Sequence, residues 1–183
     1  MAVRRNDLTI NVRVTGSGVL SDERWAGLYI VPESTRVTMS DYTFEHDLEV
    51  RFRDLDPMGH VNNAVYATYL EQTRAAYFDR VVGVPLPEAP TVLATLEIDY
   101  RREITITDGV VVRSRVAELG TSSIPIDYEI VTTPLTDGDG LDRDREDVAA
   151  TAKTVQVTYD QEAGESMPIP DEWRERIVAF EGE

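Results

Sequence analysis

Residues 50–66 read VRFRDLDPMGHVNNAVY, and they combine reactive side chains with signals for a change of backbone structure. Asp54 and Asp56 stand two residues apart at the start of a Pro-Met-Gly turn,. Asn62 and Asn63 are of a residue type that often begins a helix, and the first N–H groups of a helix have no partner inside it. A carboxylate beside such donors can act as nucleophile or general base while an N–H stabilises an oxyanion. We therefore place the candidate chemistry in this stretch, since such groups would suffice to hydrolyse an activated acyl group. The alternative is that Asp54 and Asp56 only cap the turn and the helix.

The segments on either side of this stretch predict a strand and a long helix. Leu48, Val50 and Phe52 alternate with charged residues, which is typical of a half-buried strand,. No Gly or Pro occurs from residue 64 to about residue 81. Apolar and aromatic residues recur there at helical spacing and predict one buried face, formed by Tyr66, Tyr69, Leu70, Thr73 and Tyr77.

The remainder of the chain predicts four further strands and a short terminal helix. The strands cover residues 91–101, 110–118, 122–131 and 149–159, and the helix covers 171–180. Short turns join the first three of these strands, which indicates antiparallel pairing. One long helix against one curled antiparallel sheet is an α+β architecture. The acidic stretch between residues 134 and 147 lacks the ligand pattern of a calcium-binding loop, and we predict a solvated loop there.

The stretch 50–66, followed by Tyr69-Leu70-Glu71 and by Arg74, resembles the signature of the hot-dog-fold acyl-CoA thioesterases of the 4-hydroxybenzoyl-CoA thioesterase type. The resemblance covers residues 41 to about 170. It implies the hot-dog fold, in which a curled antiparallel sheet of about five strands wraps around one long helix. It also implies an acyl-CoA substrate, no cofactor or metal, and a homodimer or homotetramer with active sites between subunits.

The resemblance also implies roles for single residues. Asp56 would be the catalytic carboxylate, acting on the thioester carbonyl as nucleophile or as general base towards water. Asn63 would supply a backbone N–H to the oxyanion, and Gly59 would permit close approach of the backbone. Asn62 and Tyr66 would border the bound substrate, with Tyr66 beside the acyl pocket.

Three further polar residues near this stretch have two interpretations each. Asp54 is either a second acid or a turn cap, and we favour the cap. His60 is either a proton shuttle or a residue that orders the turn. Glu71 matches the approximate place of the catalytic carboxylate in a related hot-dog thioesterase group. It is otherwise a polar residue at a subunit interface, or a partner for Arg74 three residues later.

Two other functions of a hot-dog protein stay open. A non-catalytic acyl-CoA-binding protein would have no use for the carboxylate of Asp56. A dehydratase acting on acyl thioesters would need a histidine and a carboxylate facing each other, and His46 and His60 are the only histidines. A phosphatase of the haloacid-dehalogenase type is disfavoured, because Met58 stands where that motif has Thr or Val.

The composition restricts partners and surroundings. The 183 residues carry 18 basic and 34 acidic side chains, a net charge of −16, which repels nucleic acids. Lys153 is the only lysine, and an acidic chain with so few lysines suggests adaptation to a salt-rich cytoplasm,. The alternative is an ordinary acidic protein from a genome biased towards arginine. There is no cysteine, no candidate membrane span and no signal peptide at the start. We therefore expect a cytoplasmic protein.

The charge distribution divides the chain into two parts. Residues 1–38 hold five arginines and four acids, a charge of +1, whereas residues 39–183 carry −17. We expect residues 39–183 to form the hot-dog domain. Residues 1–38 are either an N-terminal extension or the result of a start site set before Met39.

Overall fold

The computed structural model describes residues 11–16, 42–136 and 140–182 of the chain. The strands are β1 (Asn11–Gly16), β2 (Phe44–Glu49), β3 (Thr91–Tyr100), β4 (Asp108–Val116), β5 (Ser123–Pro134), β6 (Asp147–Asp160) and β7 (Glu165–Ser166). The helices are α1 (Asn63–Tyr77) and α2 (Asp171–Glu181). Neither of these described helices is long and apolar enough to cross a membrane.

The sheet confirms the predicted hot-dog fold. Its order is β1-β3-β6-β5-β4-β2, with the short β7 paired to β6. The five strands from β3 to β2 are antiparallel neighbours, and their inner face packs on α1. β1 pairs in parallel with the outer edge of β3. The boundary predicted near residue 38 lies outside the described residues, so the origin of the N-terminal segment stays a prediction.

The buried face of α1 is the one that the sequence predicts. The side chains of Tyr66, Tyr69, Leu70, Thr73 and Tyr77 are at most 2% exposed. They pack against alternating residues of the sheet, including Val110, Val112, Ile124, Ile126 and Ile130. Full burial of one such aliphatic side chain stabilises the fold by about 1.5–3 kcal/mol. This packing fixes the axis of α1 and therefore the position of its first turn.

The predicted strand around residues 48–52 is wrong at its C-terminal end. β2 ends at Glu49, and Phe52–Asp54 form a 3₁₀ turn instead. The turn is closed by the Asp54 N–H, which donates to the Arg51 carbonyl at 2.8 Å, and by the Arg51 N–H, which donates to Asp54 Oδ2 at 2.9 Å. Alternation predicted a buried Phe52, but the turn leaves this ring 86% exposed.

The long helix also ends earlier than predicted. α1 stops at Tyr77, and residues Phe78–Val82 form a π turn that ends at Gly83. Gly83 has a φ of +77°, a conformation that favours glycine because it has no Cβ. Apolar periodicity alone does not distinguish the two helix types, since Phe78 and Val82 are fully buried in the wider turn as well.

The C-terminal helix is attached to the core through Glu181. Glu181 Oε1 accepts hydrogen bonds from the Tyr77 hydroxyl at 2.7 Å and from the Val116 N–H at 3.0 Å. Its Oε2 accepts one from Thr43 Oγ1 at 2.6 Å. Burial and then the neighbouring Glu181 carboxylate raise the pKa of Tyr77, so this hydroxyl stays a donor. One side chain thus joins α2 to α1, to β4 and to the segment before β2.

The Glu181→Ala variant should therefore lower the free energy of unfolding by about 2–3 kcal/mol, since hydrogen bonds to a charged group are worth about 1.5–3 kcal/mol each and are not additive. Urea denaturation measures the change. The matched control is Glu175→Ala, which removes an exposed carboxylate of the same helix and should change stability by less than about 0.5 kcal/mol. Equal losses in the two variants would contradict the role of Glu181.

Candidate active site

A short hairpin carries the motif from β2 to α1. The Asp56 N–H donates to the His60 carbonyl at 2.7 Å, and the Asn62 N–H donates to the Asp54 carbonyl at 2.8 Å. Leu55 and Val61 pair between these two bonds. The hairpin therefore brings both aspartates next to the residues that begin α1.

The carboxylate of Asp56 is fixed on one side only. Its Oδ1 accepts from the Met58 N–H at 2.8 Å and from the His60 N–H at 3.2 Å. Within the described part of the chain, Oδ2 has no hydrogen-bond partner, and the side chain is half-buried. One oxygen thus orients the group while the other is available to a ligand. This arrangement suits a nucleophile or a general base.

Asp54 has a structural role in the hairpin. Its Oδ2 accepts from the Arg51 N–H and, at 3.3 Å, from the Tyr69 hydroxyl. Burial and then the nearby Asp54 charge raise the pKa of Tyr69, which keeps this hydroxyl protonated as a donor. Through these contacts Asp54 closes the turn, as a turn cap does, and also attaches the turn to Tyr69 on the buried face of α1.

The first turn of α1 offers a free backbone donor. Asn62 is the N-cap, and its Oδ1 accepts from the Ala64 N–H at 2.9 Å. The Asn62 N–H is used by Asp54, whereas the Asn63 N–H has no acceptor among the residues that the structure describes. Both asparagines are exposed. The helix dipole adds partial positive charge at this end, so the Asn63 N–H can receive a developing oxyanion.

Two tyrosines form an aromatic wall beside the helix start. The Tyr66 and Tyr100 rings meet edge to face, with centroids 4.9 Å apart. The Tyr100 hydroxyl donates to the Asn63 carbonyl at 2.9 Å, and the Tyr66 hydroxyl donates to the Arg102 carbonyl at 3.3 Å. Burial is the main cause that raises the pKa of Tyr66 to about 12. This wall fixes the first turn of α1 against the end of β3.

Tyr100 is a site residue that the motif does not contain. The only sequence signal for it is alternation along β3, which places it on the same face as Leu96 and Ile98. Both of those side chains are buried under α1. A search limited to residues near the motif therefore overlooks it.

Gly59 and His60 shape the tip of the hairpin. Gly59 has a φ of +83°. Glycine is needed there for backbone conformation and not for space, since a Cβ at this position would have no atom within 4 Å,. His60 pairs with Thr105, and its N–H and carbonyl both bond to Asp56. His60 thus orders the turn through its main chain.

Glu71 and Arg74 do not form the pair that their spacing allows. Glu71 is exposed, and no ion pair joins it to Arg74 in the described structure. Arg74 is only 6% exposed. With the Gln156 amide oriented by its hydrogen bonds, Arg74 Nε donates to the Gln156 oxygen at 2.6 Å, and the Gln156 nitrogen donates to the Val92 carbonyl at 3.0 Å,. Arg74 therefore connects α1 to the sheet, and Glu71 remains free on the outer surface of α1.

The structure brings Asp56, Gly59, His60, Asn62, Asn63 and Tyr66 together and places Glu71 two helical turns further along α1,. Over the described ranges, no group of three His, Asp or Glu side chains is arranged to hold a metal ion.

The comparison with known proteins agrees with this geometry. Residues 50–177 match the Thioesterase-like superfamily. A thioesterase from Thermus thermophilus, solved in complex with coenzyme A and Zn, is 37% identical, with a TM-score of 0.66 over 79% of this chain and 98% of that one. YsmA, an uncharacterized protein of Bacillus subtilis, is 24% identical over 76% of this chain and 88% of its own length.

A more distant structure shares the fold. A 1,4-dihydroxy-2-naphthoyl-CoA thioesterase from Synechocystis is 17% identical, with a TM-score of 0.62 over 74% of this chain and 95% of that one. The family match covers the hairpin, α1 and all strands from β3 to β7. The chain therefore belongs to the thioesterase-like superfamily.

Proposed function

We propose that this protein hydrolyses an acyl-CoA thioester to a free acid and CoA. The observation that carries the proposal is the presence of two unused groups in the short segment that begins α1, the Oδ2 oxygen of Asp56 on the hairpin and the N–H of Asn63 at the first position of the helix. A carboxylate and an oxyanion donor are sufficient for an acyl group that sulfur already activates. The similarity to a thioesterase solved with coenzyme A supports CoA as the carrier.

The reaction begins with attack on the thioester carbonyl carbon. Asp56 either removes a proton from water, so that hydroxide attacks, or attacks directly and forms a mixed anhydride that water then hydrolyses. In both routes the carbonyl oxygen becomes an oxyanion, which the Asn63 N–H stabilises. The C–S bond breaks when the oxyanion collapses, and the thiolate of CoA leaves and takes up a proton. The proposal includes a homodimer or homotetramer, as the resemblance to hot-dog thioesterases implies.

The test is CoA release, followed with a thiol reagent, from a panel of acyl-CoAs with short, long and aromatic acyl groups. The assays run at low KCl and at molar KCl, because high salt screens the self-repulsion of a chain with a charge of −16,. Circular dichroism confirms folding in each buffer, and light scattering should give at least twice the 20.5 kDa of one chain.

We expect release from at least one acyl-CoA far above the rate without protein. Absence of release from the folded protein with every acyl-CoA would contradict hydrolysis. If the folded protein nevertheless bound acyl-CoA, the non-catalytic binding function would replace it.

A further inference from the structure

The hairpin exposes two large apolar side chains. Phe52 is 86% exposed and Met58 is 75% exposed, and no other large hydrophobic residue in the described ranges is as exposed as either. Both lie on the hairpin that carries Asp56, where a ligand or a partner bound at the candidate site could contact them. The Phe52 ring is the more informative of the two, because an aromatic face can stack on a planar ligand.

Two arginines flank this ring. Arg51 and Arg53 are exposed, and neither forms an ion pair with any residue that the structure describes. Five other arginines of the same part of the chain do form ion pairs, namely Arg102, Arg113, Arg115, Arg143 and Arg176. Arg80, Arg101 and Arg145 are also exposed and form no ion pair in the described ranges, so the distinguishing feature of Arg51 and Arg53 is their position on both sides of an exposed aromatic ring.

The position of this surface relates it to the candidate site. The Asp54 carbonyl, one residue beyond Arg53, accepts from the Asn62 N–H at 2.8 Å. Residues 51–53 therefore lie beside the first turn of α1, directly before the two aspartates of the hairpin. A ligand whose reacting end lies at the Asn63 N–H can extend its other end towards this surface.

We propose that residues 51–53 bind the adenine nucleotide end of the CoA thioester, an inference that rests on the proposed function. Adenine stacks on the Phe52 ring, and the guanidinium groups of Arg51 and Arg53 pair with the phosphates. A polyanionic ligand needs a local group of cations because the chain as a whole carries a net charge of −16 and repels it,. A second copy of this chain is the other candidate for covering Phe52. Because the proposed homo-oligomer forms in spite of the charge of −16, we favour the nucleotide on the two exposed arginines that flank the ring and can pair with phosphates,.

The experiment compares two thioesters with the same acyl group, one on CoA and one on N-acetylcysteamine, which lacks the nucleotide. In the Phe52→Ala and Arg53→Gln variants we expect KM for the acyl-CoA to rise about tenfold with little change in kcat, a size that fits the loss of one stacking or phosphate contact. The kinetic constants for the N-acetylcysteamine thioester should stay unchanged. Equal changes with both thioesters, or no change with either, would overturn the proposal.

ADP binding, measured by calorimetry, tests the surface without catalysis. The wild type should bind ADP, and Phe52→Ala and Arg53→Gln should each weaken this binding about tenfold. Leu135→Ala and Lys153→Gln are matched controls, since they remove an exposed apolar side chain and an exposed cation outside the hairpin, and they should bind ADP like the wild type. Failure of the wild type to bind ADP would overturn the proposal.

The outcomes separate this inference from the proposed function. Hydrolysis that does not depend on residues 51–53 would leave the function and remove the nucleotide site. Binding of ADP through residues 51–53 without hydrolysis of any thioester would leave the nucleotide site and remove the proposed hydrolytic function. Light scattering completes the test, because a fall in molecular mass in Phe52→Ala would show that a second copy covers the ring and would overturn the nucleotide proposal.

Discussion

The Asp56→Asn variant should lose about a thousandfold of kcat for acyl-CoA hydrolysis, within the range that a positioned acid–base or nucleophilic group contributes. Asparagine cannot take a proton from water or form the anhydride, so both routes through this residue stop. The hairpin should survive, because the amide oxygen of asparagine can still accept from the Met58 and His60 N–H groups that Oδ1 now binds. CoA release under saturating substrate measures the change.

Two isosteric variants are the controls for this result. Asp54→Asn keeps an oxygen for the Tyr69 hydroxyl and the Arg51 N–H, and it should retain most of the activity if Asp54 only caps the turn. Glu71→Gln removes the exposed carboxylate of α1 and should also retain activity. Loss of activity in Glu71→Gln together with full activity in Asp56→Asn would move the chemistry from the hairpin to the helix.

The sequence predicts those parts of the fold that depend on local periodicity. The face of α1 with Tyr66, Tyr69 and Tyr77 follows from 3.6-residue spacing, and the antiparallel strands follow from alternation and short turns,. The prediction of where the first strand of the motif ends is wrong, because the same alternation continues through Val50 to Phe52. One of the two hydrogen bonds that close the Phe52–Asp54 turn is accepted by the side chain of Asp54, a contact that the alternation of apolar residues does not reveal.

Contacts between distant residues are beyond what the pattern can show. Tyr100 reaches Asn63 across 37 positions, and Glu181 reaches Tyr77 across 104. Arg74 is a further case, since its spacing from Glu71 indicates a surface ion pair. In the fold, the buried side chain of Arg74 instead donates to the side chain of Gln156 in β6. Motif and resemblance therefore locate the candidate site, whereas the residues that hold it in place come from the tertiary structure.

The second large effect that we expect is on stability, and it comes from an arginine on the outer face of the sheet. Arg113 is 4% exposed and contacts three carboxylates, with Nε 2.7 Å from Glu45, Nη1 3.5 Å from Glu129 and Nη2 within hydrogen-bond distance of Glu146. Glu129 and Glu146 are themselves only 13% and 9% exposed. Burial is the first cause that raises the pKa of Glu129. Arg113 is thus the main counter-charge for acids that water scarcely reaches.

The Arg113→Met variant should lower the free energy of unfolding by about 3–5 kcal/mol near neutral pH, the usual loss when one member of a buried ion pair is removed. Methionine fills much of the same volume. The loss of stability therefore comes from the carboxylates left without a counter-charge more than from a cavity. Arg115→Met is the matched control on the same strand. Its side chain is 38% exposed and has one partner, Asp127 at 3.2 Å, and the loss should stay below about 1 kcal/mol.

The pH dependence distinguishes stranded charge from lost packing. Without Arg113, the pKa of Glu129 in the folded state should rise further above its unfolded value. Such a carboxylate destabilises the fold fully above its folded pKa. The penalty shrinks as the pH falls below that pKa and is gone below the pKa of the unfolded state. The difference between Arg113→Met and wild type, measured by urea denaturation in molar KCl, should therefore shrink as the pH is lowered from neutral into the acidic range. A difference that is constant or grows on acidification would instead indicate that Arg113 contributes by packing, and that the three carboxylates do not depend on its charge.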